Sequence, residues 1–337
     1  MKIIVDAMGG DNAPEEIVKG AVAAKYELGI ELVLVGKQEE IERCLAGEDR
    51  SGISIVNARE VISMHDDPST ATRRKKDSSM AVALTMLKKG EGDAVVSAGS
   101  TGALLTGATL TVKRIRGIRR AALAPVLPSS ENGMLLIDCG ANAECTPEYL
   151  LQFAYMGSFY AKRILRIENP RVGLLNIGVE ETKGGELQHN TYKLLTEADS
   201  EGRISFVGNV EASTMFAGGV DVVVADGFSG NVVLKTAEGV AKWIFSEVKG
   251  AMTKNLKNKL AAAVIKDDVK SVAKKMDPGE VGGTALLGIS KPVIKAHGSS
   301  DARAILAAVR QAKQFAESGM IDDIVKNIDY MRIAEEA

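Results

Sequence analysis

The sequence predicts an α/β fold built on a mostly parallel, doubly wound sheet, and three observations carry that expectation. Short β-branched runs recur along the chain, each closed by small or polar residues and followed by a helical pattern. The runs are continuously apolar rather than alternating, as in strands buried on both faces of a parallel sheet. Glycine is abundant, 34 residues against 8 prolines and one tryptophan, as a backbone requires when it turns tightly or approaches a ligand closely.

The elements follow in order. Ile3-Ile4-Val5 closes at Asp6, ahead of the pair Gly9-Gly10. Leu32-Val33-Leu34-Val35 closes at Gly36, and Ala94-Val95-Val96 at Ser97-Ala98-Gly99-Ser100-Thr101-Gly102, with a helix expected from Ala103. Met134-Leu135-Leu136-Ile137 leads into Asp138-Cys139-Gly140-Ala141-Asn142. The run 172–175 closes at Asn176-Ile177-Gly178, the run 204–207 at Gly208-Asn209, and Val222-Val223-Val224 at residues 226–231. In such sheets ligands sit outside the carboxyl ends of the strands, where nearly all of these clusters fall. One polar rim is expected.

No low-complexity linker divides the chain. The composition break at Leu-Pro-Ser-Ser-Glu-Asn-Gly, residues 127–133, is only turn-sized, so residues 1–337 are read as one continuous α/β unit. Residues 232–275 are read as a protruding helical segment within it. Val240, Ile244, Val248, Met252, Leu256, Leu260 and Val264 recur at every fourth position and make one apolar stripe, flanked by Lys249, Lys254, Lys257, Lys259 and Lys266. This suits a long helix docked on the core or on a second subunit. The part carrying Leu256, Leu260, Val264 and Ile265 also suits a basic amphipathic segment lying on an anionic membrane surface.

Composition narrows the function classes. Apolar residues make up 45%, which excludes disorder, and the formal charge of −2 (42 basic against 44 acidic residues) gives no global bias towards nucleic acid. Cys44, Cys139 and Cys145 are too few for a disulfide scaffold. Nothing approaches the ~18 apolar residues of a membrane span. Met1-Lys2 passes directly into an Ile-Ile-Val strand without a signal-peptide pattern, so a cytosolic chain is expected.

The rim residues suggest an anion site. The glycine turns match neither G-x-G-x-x-G nor G-x-x-x-x-G-K-[ST]. Ser97, Gly99, Ser100 and Thr101 instead open a helix, where hydroxyls and free N–H groups favour an anion. The pattern repeats at Gly227-Phe228-Ser229-Gly230, between Asp226 and Asn231, and at Gly298-Ser299-Ser300, preceded by Lys295 and His297. Any one such turn is more often a plain helix cap; three at one rim, with lysine nearby, point to phosphate or another small oxyanion. Asp6, Gly9, Gly10, Asn142 and Asn209 stand at neighbouring strand ends. A G-x-S-x-G elbow is missing, and neither HxxxH nor CxxC spacing supports a metal. His65 and His189 read as solvated side chains, whereas His297 stays a catalytic candidate. The loop opened by Asn176, with Lys183 among acids and glycines, reads as a lid holding a cation over an anionic substrate. Two basic clusters complete the inventory: Arg73, Arg74, Lys75 and Lys76, and Lys113, Arg114, Arg116, Arg119 and Arg120.

Several segments together are more specific than any of these alone. D-A-M-G-G-D at residues 6–11, R-R-K-K-D-S-S-M at 73–80, S-A-G-S-T-G-A at 97–103 and L-L-N-I-G-V-E-E-T-K-G at 174–184 occur in that order, followed by A-D-G-F-S-G-N at 225–231 and P-V-I-K-A-H-G-S-S at 292–300. The chain thereby resembles, over almost its whole length, the bacterial phosphate acyltransferases (acyl-acyl-carrier-protein:phosphate acyltransferases of phospholipid synthesis). Ser100 departs from the asparagine frequent there. The resemblance implies a Rossmann-like sheet related to isopropylmalate dehydrogenases and phosphotransacetylases, in a homodimer. It implies transfer of a long-chain acyl group from acyl-acyl-carrier protein to inorganic phosphate, the acyl phosphate then passing to a membrane glycerol-3-phosphate acyltransferase. No nicotinamide, metal or other cofactor is expected. Peripheral, reversible attachment to the inner face of the membrane is implied through about residues 254–266. The acidic carrier would dock on residues 73–76 or on the 113–120 cluster. Two alternatives stay open: a phosphotransacetylase-like acyl-CoA:phosphate acyltransferase, and a non-catalytic scaffold for the carrier. A cation poised in a glycine-rich lid argues against the scaffold.

Overall fold

The computed structural model describes residues 1–130, 133–275 and 282–331. The chain opens with β1 (Lys2–Asp6), α1 (Glu15–Leu28), β2 (Glu31–Gly36), α2 (Gln38–Cys44) and β3 (Ile53–Asn57). Next come the short α3 (Ala71–Arg74), α4 (Ser79–Lys89), β4 (Ala94–Ser97) and α5 (Thr101–Gly107), which runs on into a π-helical turn, Ala108–Val112. The middle third holds β5 (Ala122–Ala124), β6 (Val126–Leu127), β7 (Met134–Ile137), α6 (Pro147–Arg163), β8 (Arg171–Asn176), α7 (Glu186–Ser200), β9 (Ser205–Glu211) and β10 (Val222–Val224). Two long helices, α8 (Gly227–Thr253) and α9 (Leu256–Lys275), precede β11 (Thr284–Leu287), β12 (Val293–Lys295), α10 (Ala302–Glu317), α11 (Met320–Lys326) and α12 (Ile328–Met331).

The strands form two sheets, one of seven strands in the order β3-β2-β1-β4-β12-β11-β5 and one of five in the order β6-β7-β10-β8-β9. Pairing is parallel except for β11 in the first sheet and β6 in the second. The chain changes sheets at Pro125, between β5 and β6, where no N–H exists to join a ladder. This Rossmann-like, parallel-dominated α/β arrangement is the predicted class.

The continuous apolar runs have a direct explanation. Ile3 and Val5 of β1 face one core cluster with α1 and α10, while Ile4 faces a second with α4 and α5. Both clusters extend into the second sheet, through Leu135, Ile137 and Val222 in one and Leu136 and Val223 in the other. A period-two alternation therefore cannot appear, because both faces are interior. Gly20 lets α1 lie against α10: a Cβ there would stand 2.4 Å from the Ala302 carbonyl oxygen.

Three sequence expectations are corrected. The run expected to end at Gly208-Asn209 continues to Glu211, with Gly208 (φ 91°) in a bulge where β9 carries an extra residue against Val172 and Leu174 of β8. The helix expected from Ala103 begins at Thr101, capped by Ser100. The single long protrusion is two helices: Asn255 restarts the chain, its Oδ1 accepting the Asn258 N–H at 2.9 Å. The pair folds back on itself, Ile244, Phe245 and Val248 of α8 facing Ile265, Val269 and Val272 of α9 across an apolar groove of about 450 Å³. Of α8, only Gly227 and Gly230 are buried. Leu256, Leu260 and Val264 point outward, 73%, 64% and 85% exposed. Among the described residues no helix is long and apolar enough to cross a membrane.

Candidate active site

Three neighbouring parallel strands of the first sheet end in register. Asp6 on β1 pairs with Ser97 on β4, which pairs with Lys295 on β12. All three side chains are buried. The Ser97 hydroxyl donates to Asp6 Oδ2 at 2.6 Å and accepts the Gly99 N–H at 3.1 Å, so the carboxylate braces the 97–102 turn from below. Met8 N–H also reaches Asp6, and burial raises the carboxyl pKa against these bonds. Gly9 is obligatory here: a Cβ would stand 2.6 Å from Asp6 Oδ2 and 2.7 Å from the Gly99 nitrogen. Gly10 (φ 108°) turns the chain so that the Asp11 N–H donates to the Gly298 carbonyl at 2.7 Å. The side chain of Asn12 donates to the carbonyls of Ser299 and Ser300. The three turns thus form one platform.

Lys295 supplies its charge. Its ammonium donates to the carbonyls of Ala98 and Ala296, and among the described residues no carboxylate stands within ion-pair distance. Burial pushes its pKa down to about 8, with Asp6 and Asp11 opposing from further away. His297 lies at the exposed edge, its Nδ1 facing the Ser299 hydroxyl at 2.8 Å and the Ser299 N–H at 3.2 Å.

The second sheet presents a comparable rim. Asp138, just past β7 and 0% exposed, accepts N–H groups from Leu123, Ala141 and Asn142 and the Asn142 side-chain amide. Asn142 in turn donates to the Ala121 carbonyl and accepts the Gly227 N–H, seating α8 on this loop. Gly230 touches the Asp138 backbone so closely that no side chain fits. Asp226 caps α8 through the N–H and hydroxyl of Ser229, so a carboxylate already occupies that helix start. Asp301 does the same for α10, with Glu16 accepting the Ala302 N–H. Asn231 lies over Gly140.

The lid is tied down at several points. Asn176 donates to the Lys183 carbonyl at 3.0 Å, Asn209 to the Glu180 carbonyl at 2.9 Å, and His189 Nε2 meets the Thr182 carbonyl at 3.0 Å. Lys183 is exposed, its stem folded over Gly178, and among the described residues it makes no hydrogen bond or ion pair with the first-sheet platform. The structure therefore brings Asp6, Gly9, Gly10, Ser97, Gly99, Ser100, Thr101, Lys295, His297 and Ser299 together. Asn142, Asp226, Ser229 and Asn231 gather on the facing rim, and Asn176, Lys183 and Asn209 in the lid.

The basic clusters differ in how far their charges are committed. Lys75 clasps its own loop through Asp66 (2.7 Å) and the Val61 carbonyl, holding the Asp66 pKa down at about 2. Arg73, Arg74 and Lys76 are exposed, beside a loop whose Pro68 packs on Gly102 at the start of α5. In the other cluster Arg114 donates to the Arg119 carbonyl and Arg120 stacks 5.3 Å above Tyr149.

Sequence reasoning missed Asp138 and Lys235. Asp138 repeats the Asp6 pattern, a carboxylate ending an apolar strand before small residues. Lys235 is one helical turn beyond Asn231 and so shares its face of α8; with Lys295 it lies near enough to help hold the His297 pKa below its ordinary value. His189, read as a solvated group, holds the lid.

Comparison with known proteins agrees with this architecture. A family model described as "Fatty acid synthesis protein" matches residues 1–323. A phosphate acyltransferase of Desulfitobacterium hafniense is 50% identical over 338 residues, covering all of both chains. One from Oceanobacillus iheyensis is 46% identical over 337 residues, again covering both chains fully. Among solved structures, a phosphotransacetylase from Streptococcus pyogenes superposes with a TM-score of 0.61 at 18% identity, covering 96% of this chain and 94% of its own. A 4-hydroxythreonine-4-phosphate dehydrogenase from Salmonella typhimurium follows with 0.54 at 16%, covering 94% and 99%. Those two likenesses speak for the fold; the full-length identity speaks for the family, and on it the chain belongs to the phosphate acyltransferases and is an acyltransferase enzyme.

Proposed function

We propose that the chain transfers a long-chain acyl group from the thioester of acyl-acyl-carrier protein to inorganic phosphate, yielding an acyl phosphate for the acylation of glycerol 3-phosphate by a membrane acyltransferase. The observation that carries this is Lys295: a buried ammonium, bonded only to carbonyls, beneath three glycine- and serine-rich turns. A buried cation without an ion-pair partner favours an anion beside it. Phosphate held there is desolvated and aimed, which converts a weak nucleophile into a competent one. Lys183, Asn176 and His297 supply charge and donors for the developing oxyanion. The thiolate leaves readily, since a thiol pKa near ~8.5 needs no dedicated acid.

Exposed Arg73, Arg74 and Lys76, next to the 97–102 turn, suit the acidic carrier. The α8–α9 hairpin suits two further contacts. Val240 and Trp243 of α8 are exposed and fit a second copy in a homodimer; Leu256, Leu260 and Val264 of α9, among lysines and next to Ile265 at the groove, fit an anionic membrane surface. The chain would then act in the cytoplasm, reversibly attached to the membrane's inner face.

The test is release of free thiol from palmitoyl-acyl-carrier protein with and without phosphate, the acyl phosphate being trapped by hydroxylamine. Phosphate-dependent release is expected, faster than with palmitoyl-CoA. Release without phosphate would make the chain a thioesterase, and preference for the CoA ester would favour the phosphotransacetylase-like reading. Cosedimentation with phosphatidylglycerol vesicles is expected for the wild-type chain and lost in Leu260→Asp; equal binding by both would remove α9 from the membrane contact. Sedimentation equilibrium should return twice the chain mass, and a monomer would leave the α8 face without its proposed occupant.

A further inference from the structure

We propose that His297 is a neutral hydrogen-bond donor to the thioester carbonyl oxygen, using Nε2–H, and that it keeps its proton throughout the reaction. The proposal rests on the acyl-transfer reading above. Its geometric basis is the tautomer. The Ser299 backbone N–H lies 3.2 Å from His297 Nδ1, and a backbone N–H can only donate. Nδ1 must therefore offer its lone pair, which places the single proton of the neutral ring on Nε2. The Ser299 hydroxyl, 2.8 Å from the same nitrogen, anchors the ring from one side. Among the described residues Nε2 has no protein partner, and the side chain is exposed at the edge of the Lys295 platform.

The surroundings keep the ring neutral. Partial burial and the cations of Lys235 and Lys295, with Lys242 beyond them, outweigh the opposing charge of Glu238 and hold the pKa below its ordinary value. Lys235, Glu238 and Lys242 approach from α8 and Lys295 from β12; Asp11 faces the neighbouring Gly298. A base so depressed is poorly suited to take a proton from phosphate. A neutral imidazole N–H is well suited to polarise a carbonyl, since it stabilises an oxyanion without surrendering its own proton.

The step balances without a proton from the enzyme. An oxygen lone pair of hydrogenphosphate attacks the thioester carbon, forming the C–O bond, while the C=O π pair moves onto oxygen facing His297 Nε2–H. Collapse re-forms C=O and breaks C–S, the sulfur leaving with the bonding pair. The proton first carried by hydrogenphosphate ends on the sulfur, giving acyl phosphate and free thiol.

The experiment compares His297→Gln and His297→Ala with the wild-type chain in phosphate-dependent thiol release across pH 5–9. The side-chain amide of Gln can donate but cannot act as a base near neutral pH. His297→Ala is expected to lower kcat about 100-fold, as loss of one oxyanion donor does, with KM for phosphate little changed. His297→Gln is expected to recover at least about tenfold of that loss, and to lose the acid limb that protonation of the ring gives the wild type. Unchanged melting temperatures in both variants exclude a folding effect. If Gln is as slow as Ala, the histidine transfers a proton and the proposal falls. It falls equally if both variants keep kcat and raise only KM for phosphate, because the ring then holds the nucleophile. A wild-type chain without phosphate-dependent turnover would overturn the acyl-transfer reading itself, and this assignment with it, before any variant is read.

Discussion

Asp6 and Asp138 occupy comparable places in the two sheets. Each closes a parallel strand, each is almost inaccessible at 1% and 0% exposure, and burial raises the carboxyl pKa of both. Their partners differ. Asp138 is ringed by N–H donors from Leu123, Ala141 and Asn142, so its charge is spent on holding a loop and the start of α8. Asp6 takes a serine hydroxyl and a backbone N–H, and in its sheet the strand two places along ends in Lys295. A buried carboxylate satisfied by N–H groups is a structural hub, whereas one with a lysine nearby belongs to a charged site. The first rim thus keeps a buried ammonium bonded only to carbonyls, whereas the second uses its carboxylate for rigidity.

The strongest way to break this comparison is Asp138→Ala. It leaves three backbone N–H groups and one amide without their acceptor, at about 1–3 kcal/mol for each buried group left unsatisfied. Loss on the order of 4 kcal/mol is expected, read as a lower urea midpoint. A variant as stable as wild type would show that Asp138 is not the hub of its rim.

Lys295→Met should do the reverse. Exchanging a buried ammonium for an apolar side chain of similar length is close to neutral for folding, or stabilising. Turnover at low phosphate should fall about 100-fold, which is about 2.7 kcal/mol, chiefly through KM. If the variant unfolds as readily as Asp138→Ala, or keeps its phosphate KM, the contrast between the rims disappears.

The smallest expected effect is in the pH dependence of the wild-type chain. Lys295 titrates at about 8 when folded, against an ordinary 10.5. Between those values the unfolded chain binds more protons than the folded one, so this residue makes stability rise with pH across that window. Phosphate affinity should run the other way, weakening as pH passes about 8 and the ammonium is lost. Stability and phosphate affinity measured on the same samples should therefore move in opposite directions above pH 8 in wild type, stability rising while KM for phosphate also rises, and Lys295→Met should lose both dependences.

Much of the fold was legible because burial on both faces leaves a direct trace in the strands. The runs ending at Asp6, Ser97, Asn176 and Val224 are where the sequence placed them. The pieces at Ala122–Ala124 and Val126–Leu127 were not, since runs of three and two residues carry no period. The helical protrusion was visible as an apolar stripe, but its fold at Asn255 was not, because spacing of four continues across a break as easily as through a helix.

The site divides along the same line. Sequence alone determined which residue types follow the ends of the continuous apolar runs, carboxylates among them, and the small residues and hydroxyls found there suggest an oxyanion site. Only the tertiary structure decided which of those ends meet. The register of β1, β4 and β12 brings Asp6, Ser97 and Lys295 side by side from positions up to 289 residues apart. It also decided which helix starts already hold a carboxylate, and that His297 Nδ1 meets Ser299. These outcomes depend on pairing between distant segments and on hydrogen bonds fixed at ångström precision, and neither leaves a local mark in the chain.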